Sequence, residues 1–162
     1  MYRMSFFAAL ALIATLLTNA YAWTEEVTYP GAICQPQTST MASYLEITSG
    51  MAVNASTSSS LTVTCPIPNT IDDDADVWVY VYDGSASSKI SCTLYARSVD
   101  TASSCSSGSD STTSSGSGAD TLVFGETCGI ADSYYHYVEC SIPKKSSSTA
   151  SPSGIYSVYV RE

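Results

Sequence analysis

An eight-residue run, Asp76–Asp83, constrains the fold more than any other part of this chain. Side chains alternate across a β-strand, so three valines share one face of the run and three aromatic side chains share the other. The inward set is Val77, Val79 and Val81. The outward set is Trp78, Tyr80 and Tyr82. The valines predict a strand that joins a core, and three aromatics in a row are more than a solvated face requires.

The rest of the chain repeats this pattern without a sustained helical period. Seven or eight short segments rich in β-branched and aromatic residues are separated by Ser, Gly and Pro turns. Asp83-Gly84 is a strong turn signal after the central run. The last run is expected to be a strand that buries Tyr156, Val158 and Val160. These features predict an all-β fold, a single antiparallel β-sandwich of Ig-like or jelly-roll-like type over residues 23–162.

Residues 1–22 have the three parts of a secretory signal peptide. Arg3 is the positive start, Phe6–Leu17 is the apolar stretch, and Ala20–Ala22 is the small-x-small cleavage signal before Trp23. The apolar stretch is short for a membrane anchor, and no later stretch is long and apolar enough to span a bilayer. We therefore expect a secreted protein, extracellular or periplasmic, with no membrane span after cleavage.

The charge balance narrows the choice of partner. Without the leader, five Lys and Arg remain against fifteen Asp and Glu, a net charge of −10. Binding to nucleic acid depends on clustered cations that release counterions from phosphates. No nucleic-acid partner is therefore expected, and anionic membrane surfaces are disfavoured for the same reason.

The chain has six cysteines, and none forms the close C-x-x-C pair of a zinc site. In an oxidising compartment they predict three disulfides, which allow fifteen pairings. The pairing we favour is Cys34–Cys65, Cys92–Cys140 and Cys105–Cys128. Cys92 and Cys140 occupy inward positions of long strands, so their bridge could join neighbouring strands or the two sheets.

Residues 101–118 consist mostly of Ser, Thr and Gly and have almost nothing to bury. We expect a long, flexible, exposed loop here, tethered near its start by Cys105. Such a segment would add nothing to the predicted core.

Four short segments resemble a pattern in uncharacterised secreted six-cysteine proteins of bacteria. They span most of the expected mature chain and are Tyr29–Pro36, Val63–Pro66, Cys92–Leu94 and Cys140–Pro143. The resemblance implies a secreted β-sandwich, and it implies no function and no catalytic residues.

No catalytic arrangement stands out in the sequence. The single histidine, His136, shares the inward parity of Val138, which favours a hydrogen-bonded rim histidine over a catalytic base. The densest acids occupy one turn and lack the apolar pocket that a hydrolase acid needs. We therefore predict that the chain is not an enzyme.

The acidic turn could still bind a metal, although no cofactor is otherwise expected. Asp72, Asp74 and Asp76 offer the hard oxygen ligands that Ca²⁺ prefers, but their spacing is not that of an EF-hand. A plain solvated turn is the alternative. Separately, Asn54–Ser56 fits the N-glycosylation sequon.

Outward aromatic residues on three strands could combine into one surface if those strands are neighbours. The six are Trp78, Tyr80, Tyr82, Tyr95, Tyr135 and Tyr137. An exposed patch of this kind marks a binding surface, and it predicts a structural or adhesive module that binds a protein partner or a second copy of itself. The alternative is a carbohydrate-binding module that stacks extracellular polysaccharide on the same face. If these aromatic side chains only stabilise neighbouring strands by cross-strand packing, neither function follows.

Overall fold

A computed structural model describes residues 26–68, 75–101, 103–112, 117–125 and 134–161. Within these ranges the chain forms eleven strands, a short helix and a 3₁₀ turn, and every strand pair is antiparallel. None of the helices in the described ranges is long and apolar enough to cross a membrane. The expected signal peptide and its cleavage site lie outside the described residues.

The eleven strands are numbered along the chain. In chain order they are β1 (Glu26–Pro30), β2 (Gln35–Pro36), β3 (Leu45–Thr48), β4 (Met51–Asn54), β5 (Leu61–Ile67), β6 (Asp76–Asp83), β7 (Ser91–Ser98), β8 (Ser104–Ser111), β9 (Gly118–Phe124), β10 (Tyr134–Ile142) and β11 (Gly154–Arg161). A 3₁₀ turn (Gly31–Ile33) follows β1, and the helix α1 (Ser39–Ala42) follows β2. Thr38 caps this helix, because its hydroxyl accepts a hydrogen bond from the Met41 amide.

The strands form two sheets. Sheet A has the order β3-β4-β11-β6-β9, with β1 also paired to β11, and sheet B has the order β2-β5-β10-β7-β8. From β4 onward the chain changes sheet at each connection except the one from β7 to β8. The inward residues of both sheets belong to one hydrophobic cluster, which confirms the expected all-β, sandwich-like arrangement.

The central strand β6 has the orientation that its alternation predicts. Val77, Val79 and Val81 are fully buried. The aromatic residues between them face outward, with Tyr80 exposed and the other two half-buried. Between its neighbours β11 and β9, β6 has backbone partners on both sides, which suits a stretch made of valines and aromatic residues.

Two of the predicted disulfides are confirmed. Cys34 bonds Cys65, and Cys92 bonds Cys140. Cys92 and Cys140 lie directly opposite each other on β7 and β10, so this bridge joins neighbouring strands of sheet B and not the two sheets. The third predicted bridge includes Cys128, which lies outside the described residues.

The expectation of a flexible loop over residues 101–118 is wrong for much of that segment. Ser104–Ser111 forms β8, which pairs with β7 along the edge of sheet B. Its residues are half-buried or exposed and none is fully buried, as their composition suggests. An edge strand needs backbone partners on one side only, and it can form with few side chains to bury. Composition predicted the exposure and missed the pairing.

The prediction that Tyr156 is buried is also wrong. The register of β11 against β6 shifts between Ile155 and Ser157, which makes Tyr156 an extra residue in the strand. The bulge changes the alternation, so Ile155 and Val158 both face the core while Tyr156 faces solvent and is 43% exposed.

The predicted turn at Asp83-Gly84 carries the chain from sheet A to sheet B, and Asp83 is buried within it. Its carboxylate accepts hydrogen bonds from the Ser85 amide at 2.9 Å, the Thr112 hydroxyl at 2.6 Å and the Ser153 hydroxyl at 3.1 Å. The crossing segment is therefore tied to the end of β8 and to the segment that leads into β11.

The sequon residue Asn54 has a structural role. It is fully buried, and its side-chain nitrogen donates to the carbonyl oxygens of Ser59, Ile142 and Pro143. Its side-chain oxygen accepts from the Ser56 amide. The nitrogen that would carry a glycan is thus enclosed in the fold.

Candidate binding surfaces

The six aromatic residues predicted to form one surface lie on two different sheets. Trp78, Tyr80 and Tyr82 face outward from β6 in sheet A. Tyr95 on β7, with Tyr135 and Tyr137 on β10, belongs to sheet B. The prediction of a single contiguous patch is therefore wrong. The outward faces of two packed sheets point in opposite directions, and each set has to be considered separately.

On sheet A, the half-buried side chain of Trp78 contacts two neighbours on β11. Its ring stacks on Tyr159, with centroids 4.9 Å apart and an interplanar angle of 22°. The Arg161 guanidinium lies 4.7 Å from the centroid of the same indole and forms a 2.7 Å ion pair with Asp76. A phenol and a cation from β11 already contact the indole, so less of its ring surface is open to a ligand than on a fully exposed ring.

Tyr159 is itself held in place on this sheet. Partial burial, and then a hydrogen bond with the Glu26 carboxylate, raise the pKa of the Tyr159 hydroxyl above 10.0. Glu26 belongs to β1, which pairs with β11 beside it. The aromatic stack thus fastens the edge strand β1 to the sheet, and a packing role explains its geometry.

The other aromatic residues of sheet A are more open. Tyr82 meets Tyr156 edge to face at 6.5 Å, while Tyr80 is 39% exposed. Val123, which lies opposite Trp78 on β9, is 51% exposed. This part of the sheet is apolar and accessible, and an Asp110 carboxylate oxygen accepts a hydrogen bond from the Val123 amide there.

On sheet B, three tyrosines form a continuous row. Tyr95 and Tyr137 lie opposite each other in register and stack at 5.3 Å with an interplanar angle of 20°. Tyr135, two residues before Tyr137, is 6.0 Å away at 31°. Tyr135 ends the row of described contacts and is 45% exposed.

Beside this row lies an open groove of about 300 Å³, here called the tyrosine groove. It is lined by Gln37, Thr64, Pro66, Arg97, Tyr135, Tyr137 and Glu139. Strand register explains the set, because Arg97 lies opposite Tyr135, Pro66 opposite Tyr137, and Thr64 opposite Glu139. Three strands and the residue after β2 converge there, and aromatic and hydrogen-bonding side chains share one surface.

The polar groups of the groove are partly pre-positioned. The Gln37 side-chain amide donates to one Glu139 carboxylate oxygen at 2.9 Å. Burial first, and then Tyr135 and Glu139, raise the pKa of the Tyr137 phenol above 10.0, while Arg97 opposes this effect. The Tyr137 hydroxyl is therefore neutral at physiological pH and can both donate and accept a hydrogen bond.

The sequence identified the tyrosines of this site and missed its polar members. Arg97 and Glu139 share outward parity with Tyr95 and Tyr137, so a signal for them was present. Gln37 and Thr64 carried no such signal, because only the pairing of β2, β5 and β10 brings them beside the tyrosines.

The acidic turn does not emerge as a metal site from the described residues. Asp76 bonds Arg161, while Asp72 and Asp74 lie outside the described residues. Across the part of the chain that the structure covers, no three His, Cys, Asp or Glu side chains are grouped so that they could hold a metal ion. His136, 2% exposed, has the inward orientation that its parity predicts.

Comparison with known proteins adds no family to this description. Neither a scan against protein-family models nor a search of curated proteins finds a match.

Proposed function

We propose that this protein is an exported, non-catalytic adhesive module that attaches to an extracellular partner through the tyrosine groove. The observation that carries the proposal is the convergence of a tyrosine row with Arg97, Glu139 and Gln37 on one open groove. Aromatic side chains supply contact area at low entropic cost, and a few placed polar groups supply orientation.

Sheet B is favoured over sheet A because of how the aromatic side chains are used. On sheet A the largest ring, Trp78, is covered by Tyr159 and Arg161. On sheet B, Tyr135 is the more exposed end of its row and borders a groove. A partner gains more from a free ring beside hydrogen-bonding groups than from one that is already stacked.

The architecture supports an extracellular binding role. The orders β4-β11-β6-β9 and β5-β10-β7-β8 correspond to two Greek keys, the jelly-roll arrangement that lectin domains also use. Fold alone does not define function, so this support is analogy. We also propose that the protein is exported and that Cys105 bonds Cys128. The other four cysteines pair with one another, which supports this third bridge.

Retention on the extracellular matrix of the secreting cells tests the proposal. Tyr135→Ala is expected to lower the bound fraction at least about tenfold, the loss typical of an aromatic hot spot. Ile47→Ala is the control, because Ile47 is similarly exposed, at 48%, but lies on the edge strand β3 of sheet A. Equal retention of wild-type protein and a Tyr135→Ala/Arg97→Ala double variant would contradict the proposal.

Self-association through sheet A is a second candidate, favoured by the accessible apolar side chains of Tyr80, Val123 and Tyr156. Sedimentation velocity at increasing concentration tests it. A concentration-dependent dimer that Val123→Ser abolishes would support this surface, whereas a monomer at every concentration would exclude it.

A further inference from the structure

We propose that the tyrosine groove binds a segment of a neutral polysaccharide. This inference rests on the proposed function, because it assigns a ligand class to the same groove. The groove combines an exposed ring, fixed hydrogen-bonding groups of both kinds and a balanced charge, and together these select the ligand.

The exposed ring is Tyr135. The face of an aromatic ring carries partial negative charge, and C–H groups of a sugar ring carry partial positive charge. A sugar ring can therefore lie against Tyr135, whose contact to Tyr137 is tilted at 31° and not a tight stack. The stacked pair Tyr95 and Tyr137 supports that position from one side.

The polar groups match the hydroxyls of a sugar. Each hydroxyl both donates and accepts, so a site that recognises neighbouring hydroxyls needs donors and acceptors together. Arg97 provides only donors and the Glu139 carboxylate provides only acceptors, and both line the same groove. Gln37 holds one carboxylate oxygen at 2.9 Å, which limits the freedom that Glu139 would lose on binding.

Charge favours a neutral ligand over an acidic one. Arg97 and Glu139 are the two charged residues that line the groove, and their formal charges cancel. The whole chain carries a net charge of −9, so an anionic polymer would be repelled along its length by the rest of the surface. A neutral polymer avoids that repulsion.

Shape favours a polysaccharide over a protein partner. A stable protein interface buries about 800 Å² on each partner around a desolvated core. The volume of the groove, about 300 Å³, is near the lower end of the range for small-ligand sites, and the charged side chains of Arg97 and Glu139 line it. It suits one or two sugar residues of a chain that continues across the sheet.

The test uses matrix carbohydrate from the secreting cells, separated on an anion exchanger into a neutral, unbound pool and an acidic, bound pool. Each pool is cast into a native gel, and the retardation of the secreted protein is measured. We expect retardation by the neutral pool, a loss of at least about tenfold in affinity for Tyr135→Ala, and a much smaller loss for Tyr135→Phe, which keeps the ring. Ile47→Ala, on the edge strand β3 of sheet A, is the control, and thermal unfolding checks that each variant is folded.

A parallel treatment of intact matrix separates the two proposals. Retention that depends on Tyr135 and is destroyed by periodate, which cleaves vicinal diols, supports a polysaccharide ligand. Retention that depends on Tyr135 but is destroyed by protease and not by periodate keeps the groove and overturns the carbohydrate assignment. Retardation by the acidic pool alone overturns the neutral assignment. Retention that is independent of Tyr135 and Arg97 overturns the groove itself.

Discussion

At the scale of single residues, the buried polar side chains show how this serine-rich chain maintains its connections. Asp83 and Asn54 are each enclosed, and each satisfies several backbone or hydroxyl groups from distant segments. Neither role follows from local sequence. Asp83 looks like an ordinary turn residue and Asn54 like a glycosylation site, because their long-range partners lie 29 to 89 positions away.

Loss of the Asp83 carboxylate should destabilise the fold. Asp83→Ala leaves the Ser85 amide and the hydroxyls of Thr112 and Ser153 without this acceptor, and we expect a loss of about 3 kcal/mol in the free energy of unfolding. Urea unfolding measures it. Asp120→Ala, at an exposed carboxylate, should change stability by less than about 0.5 kcal/mol, and similar losses for both variants would refute the role of Asp83.

The tyrosine row should make the protein sensitive to alkaline pH. Because the pKa of Tyr137 is raised above 10.0 in the folded state, folding favours the protonated phenol. The contribution of Tyr137 to the free energy of unfolding is complete below pH 10.0 and is lost as the pH rises through the raised pKa of the folded state. Unfolding free energies at pH 8 and pH 11 should show a smaller alkaline loss for Tyr137→Phe than for wild type, and equal losses would contradict the assignment.

At the scale of elements, edge strands and a bulge account for the errors in the sequence interpretation. β8 forms from serines that bury little, because its backbone needs only β7 beside it. The bulge in β11 adds one residue before Val158, so Tyr156 no longer shares a face with Val158 and Val160 and is exposed. The pairing of β8 and the bulge in β11 leave the amino-acid composition unchanged, so composition could not predict them.

The approach of the 3₁₀ turn to β11 gives a test at this scale. A Cβ built on Gly31 would lie 2.0 Å from the Ile155 carbonyl oxygen, so Gly31→Ala must displace backbone. We expect a loss of at least about 2 kcal/mol in unfolding free energy. Gly125→Ala is the control, since a Cβ there meets nothing within 4 Å. Comparable stability of the two variants would show that the contact is not tight.

At the scale of the whole molecule, disulfides and sheet order together determine the fold. Cys92–Cys140 joins two strands of sheet B that are 48 positions apart in sequence. Jointly replacing both cysteines with serine should cost about 4 kcal/mol in the chain-entropy account. Thermal and urea unfolding of oxidised wild type and the double variant measure the difference, and a loss below about 1 kcal/mol would indicate a largely redundant bridge.

Sheet membership also decided the candidate site. Tyr95, Tyr135 and Tyr137 were predicted from parity, together with an outward-facing Trp78. Only the placement of β7 and β10 in a different sheet from β6 separated the tyrosine groove from the Trp78 stack. It also brought Gln37 and Thr64 to the groove from segments that local sequence does not connect to it.

The sequence by itself determined what is local: that Asp76–Asp83 is a strand, that its valines face inward and its aromatics outward, and that all-β structure dominates. Side-chain alternation and burial are properties of neighbouring residues, so they can be read along the chain. Only the tertiary structure decided which strands share a sheet, where Tyr156 points and which polar groups meet Tyr135. These three features depend on backbone pairing between distant segments, and the local side-chain pattern does not specify which segments pair.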